Sequence, residues 1–440
     1  MKRYEITNEA ERKEVDEYIL GLGDASQATE AIQEKLESTK WIVDNVRENG
    51  DAALVDFTQR FDGVELTPEQ FEVTPDEIDA AMKKVDPKLI SILERAHNNI
   101  KNFHSKYLRE SWEESYEDGT ILGQRITPVE SAGVYVPGGK AFYPSSVLMN
   151  IAPARVAGVE EIIMVSPPSY KGSIHPAVLA AAKIAGATRV FRIGGAQAVA
   201  ALAYGTETIP AVTKITGPGN TFVATAKALV RGRVEIDSEA GPSEVVVLAD
   251  ELANPDFVIA EMLAQAEHDE EAMSILITPS RELAEAVEKT IDARLNTLPR
   301  RDIIQQSLDN NGAVIVTRNL DEAIDLTNMA APEHLSIQVE FPQRVADQIK
   351  NAGAMMLGAF TPVAVGDYYA GPNHILPTGR RARYASPLTA EDFRKVTSVL
   401  YYTEQRLNEV GQDIIDFANI EELQAHARSV AVRMDEGKDL

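Results

Sequence analysis

Gly133-Val134-Tyr135-Val136 is the first of four short runs of β-branched and apolar residues that decide the fold. The runs that follow it are Ile162-Ile163-Met164-Val165, Val190-Phe191-Arg192-Ile193 and Val212-Thr213-Lys214-Ile215. Stretches with helical periodicity separate them, and strands that alternate with helices are typical of βαβ units. The sequence therefore predicts an α/β fold with a mostly parallel sheet.

A second α/β series follows the first along the chain. Its predicted strands run from Val245 to Leu248, from Ser274 to Ile277 and from Ala313 to Val316. An amphipathic helix is predicted after the second of these strands, from Pro279 to Asn296. Two sheets of similar composition are therefore expected.

Helical regions are predicted on both sides of the two α/β series. From residue 8 to about residue 110 the pattern is helical, with Asn49-Gly50 and Asp62-Gly63 as stops. Thr74-Pro75-Asp76-Glu77 has the pattern of a capping box with proline at the first helical position. After the Gly- and Pro-rich stretch from Gly366 to Pro387, a helical tail is predicted from about Thr389 onwards.

Composition excludes several classes of partner and of chemistry. The 43 Lys and Arg against 68 Asp and Glu give a net charge of −25, which opposes binding to nucleic acid or to an anionic membrane. No apolar run approaches the roughly 20 residues that cross a bilayer. Met1-Lys2-Arg3-Tyr4-Glu5 leads into a predicted charged helix rather than the apolar core of a signal peptide, so a cytoplasmic protein is expected.

The chain has no cysteine. This excludes disulfides, thiolate metal sites and thiolate nucleophiles. Any metal ion must therefore be held by nitrogen and oxygen ligands, and any oxidation of an aldehyde must proceed without a thiohemiacetal.

Histidine marks the candidate site. The chain has seven histidines, and four of them lie in short polar segments of its C-terminal half. The segments are Gln265 to His268, Pro332 to His334, Asp367 to His374, and Glu421 to His426. Repeated pairing of imidazole with carboxylate indicates one site assembled from distant segments, although any one of these histidines taken alone is more often structural.

Gln265 and His268 are candidate metal ligands. They stand three residues apart at the end of a predicted helix that runs to His268, so both side chains lie on one face. Asp367, in a glycine-flanked turn, and His426, on the predicted tail helix, would complete a nitrogen and oxygen shell suited to Zn²⁺. The alternative is a solvated helix end, because three acidic residues follow His268.

Glu333 and His334 are candidate catalytic residues. They follow a predicted turn and precede the strand-like run Leu335-Ser336-Ile337, at an element boundary where side chains can face a cleft. A buried carboxylate with a raised pKa can deprotonate water, and a neutral imidazole can accept the hydroxyl proton of an alcohol. The alternative is a helix-terminal glutamate beside a structural histidine.

Two glycine-rich turns are candidate anion sites. Gly217-Pro218-Gly219-Asn220 follows a predicted strand and opens a predicted helix from Thr221 to Val230. Gly194-Gly195-Ala196-Gln197 repeats the arrangement one unit earlier. Backbone N–H groups and the helix dipole favour an anion there, but neither turn has the G-x-G-x-x-G fingerprint, and tight-turn glycines are the alternative. Gly241-Pro242-Ser243-Glu244 offers a hydroxyl at the mouth of a strand.

Eight segments in one order carry a resemblance to a known family. They are Gly133-Val134-Tyr135-Val136-Pro137-Gly138-Gly139, Gly194-Gly195-Ala196-Gln197-Ala198, Gly217-Pro218-Gly219-Asn220, Ala240-Gly241-Pro242-Ser243-Glu244, Gln265-Ala266-Glu267-His268, Pro332-Glu333-His334-Leu335, Gly366-Asp367-Tyr368 and Asn373-His374-Ile375-Leu376-Pro377-Thr378. Over residues 28 to 430 the chain resembles the histidinol dehydrogenase family.

The resemblance implies an NAD-dependent, zinc-containing enzyme. Such an enzyme oxidises L-histidinol to L-histidine through an enzyme-held aldehyde, with two NAD⁺, in the last steps of histidine biosynthesis. The implied fold is α/β, with two incomplete Rossmann-like parallel-sheet domains, small helical N- and C-terminal domains, and assembly as an intertwined homodimer. The implied domains are residues 1–27, residues 28–134 with 244–373, residues 135–243 with 374–387, and residues 388–440.

The resemblance also implies roles for individual residues. The implied zinc ligands are Gln265, His268, Asp367 and His426, with His426 reaching the ion of the other subunit. The implied substrate contacts are these ligands together with Ser243, His334, His374 and Glu421, and the implied NAD contacts are Tyr135, Gln197 and Asn220. Glu333 is implied as the activator of water and His334 as the general base of both half-reactions, with zinc holding the substrate.

Three alternatives stay open at the level of sequence. Arg380-Arg381 departs from the small or neutral residues expected there and could attract an anion, which would suit a dehydrogenase of another small polar alcohol with a sulfonate or phosphate group. The predicted zinc ligands together with Glu333 could also make a zinc hydrolase. The third alternative is a zinc-stabilised binding protein that catalyses no reaction.

Overall fold

The structure is a computed structural model, and it describes residues 1–22, 30–138, 142–238 and 241–434. Gly139 and Ala240, which end and begin two of the segments quoted above, lie outside the described residues. The chain divides into two compact units. One unit contains Met1–Lys106 and Val129–Phe393, and the other contains Tyr107–Pro128 and Arg394–Leu440.

The strands contribute to three sheets. In chain order they are β1 (Lys2–Glu5), β2 (Trp112–Ser115), β3 (Ile121–Pro128), β4 (Ser131–Tyr135), β5 (Glu161–Val165), β6 (Arg189–Phe191), β7 (Lys214–Thr216), β8 (Glu235–Ile236), β9 (Glu244–Ala249), β10 (Met273–Thr278), β11 (Gly312–Val316), β12 (His334–Gln338), β13 (Ala354–Leu357) and β14 (Arg394–Tyr401).

Helices separate most of these strands along the chain. In chain order they are α1 (Glu9–Gly21), α2 (Glu30–Phe57), α3 (Pro75–Met82), α4 (Pro87–His104), α5 (Pro144–Ala157), α6 (Pro176–Ala185), α7 (Gly195–Tyr204), α8 (Thr221–Val230), α9 (Pro255–Ala266), α10 (Arg281–Leu295), α11 (Arg301–Asn311), α12 (Leu320–Ala330), α13 (Pro342–Ala346), α14 (Val363–Tyr368), α15 (Glu404–Ile420) and α16 (Gln424–Ala431).

The first α/β series forms a five-stranded parallel sheet with the order β6-β5-β4-β7-β8. The chain builds outward from β4 to β6 on one side and then returns to add β7 and β8 on the other. The strand order therefore reverses between β4 and β7, and open α/β sheets bind ligands beside such a reversal. The predicted strands are confirmed, although β7 begins at Lys214, two residues later than predicted.

The second series forms a six-stranded parallel sheet with the order β1-β11-β10-β9-β12-β13. Here the strand order reverses between β9 and β12. Strand β1 pairs in parallel with β11, so Lys2 to Glu5 form an edge strand that the sequence reading did not include. A four-residue edge strand with three charged side chains carries too little apolar alternation to be recognised.

Helices cover both faces of the six-stranded sheet. Val245 and Val247 of β9 pack with helices α9, α10 and α11, whereas Val246 and Leu248 of the same strand pack with α1 and α12. Alternate side chains of a strand point to opposite faces, so a strand buried on both faces is continuously apolar. The two parallel sheets confirm the predicted α/β class.

The helical region before the sheets has the predicted punctuation. Gly50 has φ +53° and ψ −131°, which kinks α2, and Gly63 adopts a left-handed conformation after the turn that ends this helix. The capping box of α3 is present, because the Glu77 N–H donates to Thr74 Oγ1 at 3.3 Å and the Thr74 N–H donates to Glu77 Oε2 at 2.9 Å. The stop at Gly63 and this cap are confirmed, whereas Gly50 kinks α2 and the helix resumes after it.

The other unit contains an antiparallel sheet with the order β14-β3-β2, together with helices α15 and α16. The prediction that the tail is helical from about Thr389 is wrong for Arg394–Tyr401, which pair with β3 over eight residues. Val396, Thr397 and Val399 are β-branched, and this favours the strand. None of the helices in the described part of the chain combines the length and the apolar character that a membrane span requires.

Candidate active site

The Glu333–His334 pair lies at the amino end of β12, beside the reversal of strand order in the six-stranded sheet. His334 is the first residue of β12 and is in register with Val245 of β9. The side chains of His334 and Glu333 are 4% and 8% exposed. Such burial strengthens each electrostatic interaction that the two groups make, because water does not screen them.

The backbone of Glu333 is held by close packing. The Ala354 N–H donates to the Glu333 carbonyl at 2.9 Å, and the Gly353 N–H donates to the carbonyl of Pro332 at 2.9 Å. A β-carbon on Gly353 would lie 2.6 Å from the Glu333 carbonyl oxygen, so only glycine fits at this position. Close packing therefore fixes the backbone of the candidate catalytic pair at the start of β12.

Glu244 and Glu333 hold each other's backbone. The Glu244 N–H donates to Glu333 Oε2 at 2.8 Å, and the Glu333 N–H donates to Glu244 Oε2 at 3.3 Å. The second oxygen of Glu244 accepts from the Gly379 N–H at 2.6 Å. Burial raises the pKa of Glu244 to about 7, and the nearby charge of Glu333 adds to this effect.

Sequence reasoning did not identify Glu244 as part of the site. The signal was present, because Glu244 is an acidic residue at the head of an otherwise apolar strand, Val245 to Ala249, that is buried throughout. An acidic group in such a place needs hydrogen-bond partners. From this segment, the sequence analysis proposed only the hydroxyl of the preceding residue, Ser243.

The two ring nitrogens of His334 have different partners. Nδ1 lies 3.1 Å from the carbonyl oxygen of Glu244, and Nε2 lies 3.3 Å from Oδ1 of Asp367. A carbonyl oxygen only accepts, so Nδ1 carries a proton and donates it there. In the neutral ring Nε2 is then the basic atom. Burial lowers the pKa of His334, but the carboxylates of Glu333 and Asp367 outweigh it, and the pKa is raised overall.

Asp367, in helix α14, connects three histidines. Burial raises the pKa of Asp367, but His334, His374 and His268 together lower it below its ordinary value. Nδ1 of His374 lies 2.9 Å from the Asp367 carbonyl oxygen, and Nε2 of His374 lies 3.3 Å from Oγ of Ser146. Segments that are far apart in sequence therefore meet around one carboxylate.

His268 lies outside the helix in which it was predicted. Helix α9 ends at Ala266, and the His268 N–H donates to the Gln265 carbonyl at 3.2 Å in a tight turn. The prediction that this helix runs to His268 is therefore wrong. Three consecutive acidic residues follow His268, and negative charge is unfavourable at the C-terminal end of a helix.

The side chain of Gln265 is suited to bind a cation. Its side chain is 2% exposed, and its Nε2 atom is buried without a hydrogen-bond partner. The oxygen and nitrogen of an amide exchange places by rotation, so Gln265 can present an oxygen to a cation without breaking a hydrogen bond of Nε2. Amide oxygen, imidazole nitrogen and carboxylate form a donor set that suits Zn²⁺.

The predicted metal ligands come from both units of the chain. Within the described ranges, no group of three or more His, Cys, Asp or Glu side chains is placed to hold a metal ion. Of the predicted ligands, Gln265, His268 and Asp367 belong to the unit that contains the two parallel sheets. His426 lies in α16 and Glu421 is the residue that follows α15, both exposed and both in the other unit. Their roles stay predictions.

Ser243 and Arg380 lie in two other segments that the sequence analysis singled out. Ser243 is half-buried directly before β9, and its carbonyl accepts from the Met273 N–H at 2.9 Å. The guanidinium of Arg380 donates to the carbonyls of Met329 and Leu20 at 3.2 and 3.0 Å. Arg380 therefore makes structural hydrogen bonds within the protein.

The predicted NAD contacts lie at the carboxyl ends of strands in the five-stranded sheet. Tyr135 ends β4, Gln197 lies in the first turn of α7 after β6, and Asn220 caps α8 after β7. The hydroxyl of Tyr135 accepts from the Gly195 N–H at 3.2 Å, and Asn220 Oδ1 accepts from the Val223 N–H at 3.2 Å. Burial raises the pKa of Tyr135 to about 12, so it is a neutral phenol.

Known proteins resemble this chain over most of its length. A family model described as histidinol dehydrogenase matches residues 25–434. The histidinol dehydrogenase of Geobacillus kaustophilus is 51% identical over 90% of this chain and 93% of its own length. That of Geobacter sulfurreducens is 52% identical over 89% of this chain and 92% of its own length.

A solved structure also matches over nearly the whole length. The crystal structure of histidinol dehydrogenase from Elizabethkingia anophelis has a TM-score of 0.90 and 34% identity, and the match covers 98% of each chain. With the sequence relatives and the family model, this similarity shows that the chain belongs to the histidinol dehydrogenase family.

Proposed function

We propose that this chain oxidises L-histidinol to L-histidine in two consecutive steps at the site around Glu333 and His334. Family membership makes the chain an NAD-dependent, zinc-binding oxidoreductase of histidine biosynthesis. The proposal for the site rests on one observation, the buried imidazole of His334 whose Nε2 faces Asp367. The family assignment favours this activity over a zinc hydrolase or a binding protein without a reaction.

In the first step the neutral form of His334 accepts the hydroxyl proton of histidinol, and the raised pKa of the ring makes this form a stronger base. Nδ1 already donates to the Glu244 carbonyl, so the proton goes to Nε2, where the carboxylate of Asp367 stabilises the imidazolium. NAD⁺, when bound, takes the hydride from the carbinol carbon, and the product is the aldehyde. The substrate thus loses one proton and one hydride.

In the second step Glu333 activates a water molecule. Its carboxylate accepts a proton from the water as the water oxygen attacks the aldehyde carbon, and the imidazolium of His334 returns its proton to the aldehyde oxygen, which gives a hydrated aldehyde and a neutral His334. His334 then accepts a hydroxyl proton from the hydrate as the second hydride leaves, and the carboxylic acid forms. The absence of cysteine agrees with a hydrate rather than a thioester.

The proposed metal ligands are Gln265, His268 and Asp367, with His426 from a second subunit. Zinc, when bound there, holds the amine and imidazole nitrogens of the substrate in place. Ser243, His374 and Glu421 are the further proposed substrate contacts. His374 is fixed by Ser146 and by the Asp367 carbonyl, so its ring is already oriented.

The stoichiometry of NADH tests this proposal. We expect two NADH per L-histidinol consumed, because both oxidations occur at one site. A ratio of one, or no turnover, would overturn the four-electron reaction. Glu333→Gln should retain reversible conversion between alcohol and aldehyde and lose oxidation of the aldehyde, whereas His334→Asn should lose both.

A homodimer with shared sites is also part of the proposal. An Asp367→Ala protein mixed with a His426→Ala protein should regain partial activity after subunit exchange, because some heterodimer sites contain all four ligands. If verified heterodimers stay inactive, each site is formed within one chain. The domain boundaries given by the resemblance and a cytoplasmic location stay predictions.

A further inference from the structure

A lysine is buried inside the apolar helix α8, beneath the turn Gly217-Pro218-Gly219-Asn220. The side chain of Lys227 is 2% exposed, and its ammonium contacts the carboxylate of Asp237, which is 3% exposed. Burial raises the pKa of Asp237, and the ammonium of Lys227 opposes this. Taking two charges out of water is expensive, and a buried ion pair is often no more stabilising than apolar residues of the same volume. The pair therefore calls for a role beyond stability.

Both members of the pair bind the same residue of the turn. The Gly217 N–H donates to Asp237 Oδ2 at 2.7 Å, and Lys227 Nζ donates to the Gly217 carbonyl at 3.0 Å. The ion pair thus fixes the donor and the acceptor of one backbone residue at the same time. Charged partners make these hydrogen bonds stronger than neutral ones.

Gly217 lies close to the backbone of Tyr135, which is one of the proposed NAD contacts. Its φ is +118°, and a β-carbon there would lie 2.0 Å from the carbonyl oxygen of Tyr135. Tyr135 in turn accepts from the N–H of Gly195, in the turn after β6. The three turns that follow β4, β6 and β7 are therefore connected through Gly217 and Tyr135.

The charges beneath the turn also favour an anion above it. Lys214, at the start of β7, is 5% exposed and acts electrostatically on Asp237. Two buried lysines thus act on one buried carboxylate, which accepts from the Gly217 N–H four residues before α8 begins. The proposed anion is the pyrophosphate of the dinucleotide, for which a helix N-terminus is a suitable site.

We infer that Lys227 and Asp237 are positioning residues that hold the Gly217 turn in the conformation that binds the dinucleotide. The inference rests on the proposed placement of NAD at Tyr135, Gln197 and Asn220. Neither Lys227 nor Asp237 needs to touch the cofactor. Each acts through the backbone of Gly217.

Titration of NAD⁺ into the full-length protein by calorimetry, without histidinol, tests the inference. Lys227→Met and Asp237→Asn should each weaken NAD⁺ binding by about tenfold or more, with zinc content unchanged. Hydrogen exchange in peptides that contain residues 217–220 should become faster in both variants. Lys183→Met, which removes an exposed ion pair with Asp79 in the same unit, is the matched control and should leave the affinity unchanged.

The double variant Lys227→Met/Asp237→Asn separates positioning from simple stability. It removes both members of the contacting ion pair, so its melting temperature should recover relative to Lys227→Met, while its NAD⁺ affinity stays low. Recovery of both quantities, or wild-type affinity in the single variants, would overturn the inference. A wild-type protein that fails to bind NAD⁺ would instead overturn the proposed function. If Asn220→Ala weakens binding and the ion-pair variants do not, only the inference fails.

Discussion

The two parallel sheets resemble each other in topology, but their candidate functional residues lie at opposite ends of the strands. They lie at the carboxyl edge of one sheet and at the amino edge of the other. In the five-stranded sheet, the candidate cofactor residues Tyr135, Gln197 and Asn220 follow the carboxyl ends of strands. In the six-stranded sheet, Ser243 and the Glu333–His334 pair stand at the amino ends of β9 and β12. Tyr135 and Asn220 follow β4 and β7, between which the five-stranded sheet reverses its order, and the second set stands at β9 and β12, where the six-stranded sheet does so.

Helix polarity explains what this difference does. In a βαβ unit, helix N-termini lie near the carboxyl ends of strands and helix C-termini near the amino ends. The first edge therefore favours an anion such as pyrophosphate. The second edge favours cations, and here α9 ends beside the proposed zinc ligands Gln265 and His268, and α12 ends shortly before His334. One fold thus provides separate places for a dinucleotide and for proton transfer.

The largest expected effect comes from a change at the amino edge of the six-stranded sheet, where Glu333 and His334 lie. His334→Asn should lower kcat on the order of 10²- to 10⁴-fold, because the ring nitrogen that accepts the proton is removed. Steady-state kinetics at saturating NAD⁺ measures this. Glu340→Gln, an exposed residue just beyond the opposite edge of the same sheet, is the control and should change kcat by less than about twofold. Equal losses in the two variants would contradict the assignment of the amino edge.

The next effect sharpens the comparison at the edge of the five-stranded sheet. Gly217→Ala should abolish measurable NAD⁺ binding, because the added carbon would collide with the Tyr135 carbonyl. Gly232→Ala is matched to it, since Gly232 also has a positive φ, +97°, but no atom within 4 Å of the position of a β-carbon. It should cost on the order of 1 kcal/mol of stability and leave NAD⁺ affinity unchanged. Similar loss of affinity in both variants would show that backbone strain, rather than the close approach, controls binding.

A pH effect is expected at Glu244, at the amino edge of the six-stranded sheet. Its pKa is raised from 4.5 to about 7, so its contribution to the free energy of unfolding is complete below pH 4.5 and is lost as the pH rises through 7. Urea unfolding of wild type and Glu244→Gln between pH 5 and pH 8 measures this. The stability of wild type relative to the variant should fall with rising pH, by up to about 3 kcal/mol. A difference that grows with pH would show that Glu244 is ionised and stabilised by its N–H partners.

The smallest effect on activity is expected at Arg380. Arg380→Met removes hydrogen bonds to the carbonyls of Met329 and Leu20, which should lower stability by about 1–3 kcal/mol. The kcat/KM for histidinol should stay within about twofold of wild type, because these bonds hold the protein rather than a substrate. A change in preference between histidinol and an anionic alcohol would instead support a small alcohol with a sulfonate or phosphate group as the substrate.

Regular elements were predictable where periodicity and glycine were informative. The strands at Ile162 and Val245, the helix from Thr221 to Val230 and the capping box at Thr74 are present as predicted. The sequence could not reveal that β14 replaces the start of a helical tail, because its partner β3 is more than 260 residues away. Strand pairing over such distances leaves no local pattern.

The candidate site shows the same division between local and distant information. Residue types and motifs indicated Glu333, His334, Asp367 and the glycine-rich turns. The contact of His334 with Asp367, and the hold of Glu244 on Glu333, depend on packing between strands and helices that no spacing encodes. Lys227 was visible as a charge within an apolar helix, but its partner Asp237 became apparent only in the fold.

Calorimetric titration of NAD⁺ into the His334→Asn variant tests the separation of the two edges most directly. If the dinucleotide binds at the carboxyl edge of the five-stranded sheet and proton transfer occurs at the amino edge of the six-stranded sheet, the dissociation constant should equal that of wild type within about twofold. A loss of NAD⁺ affinity greater than tenfold, in a variant whose fold and zinc content are intact, would contradict this account.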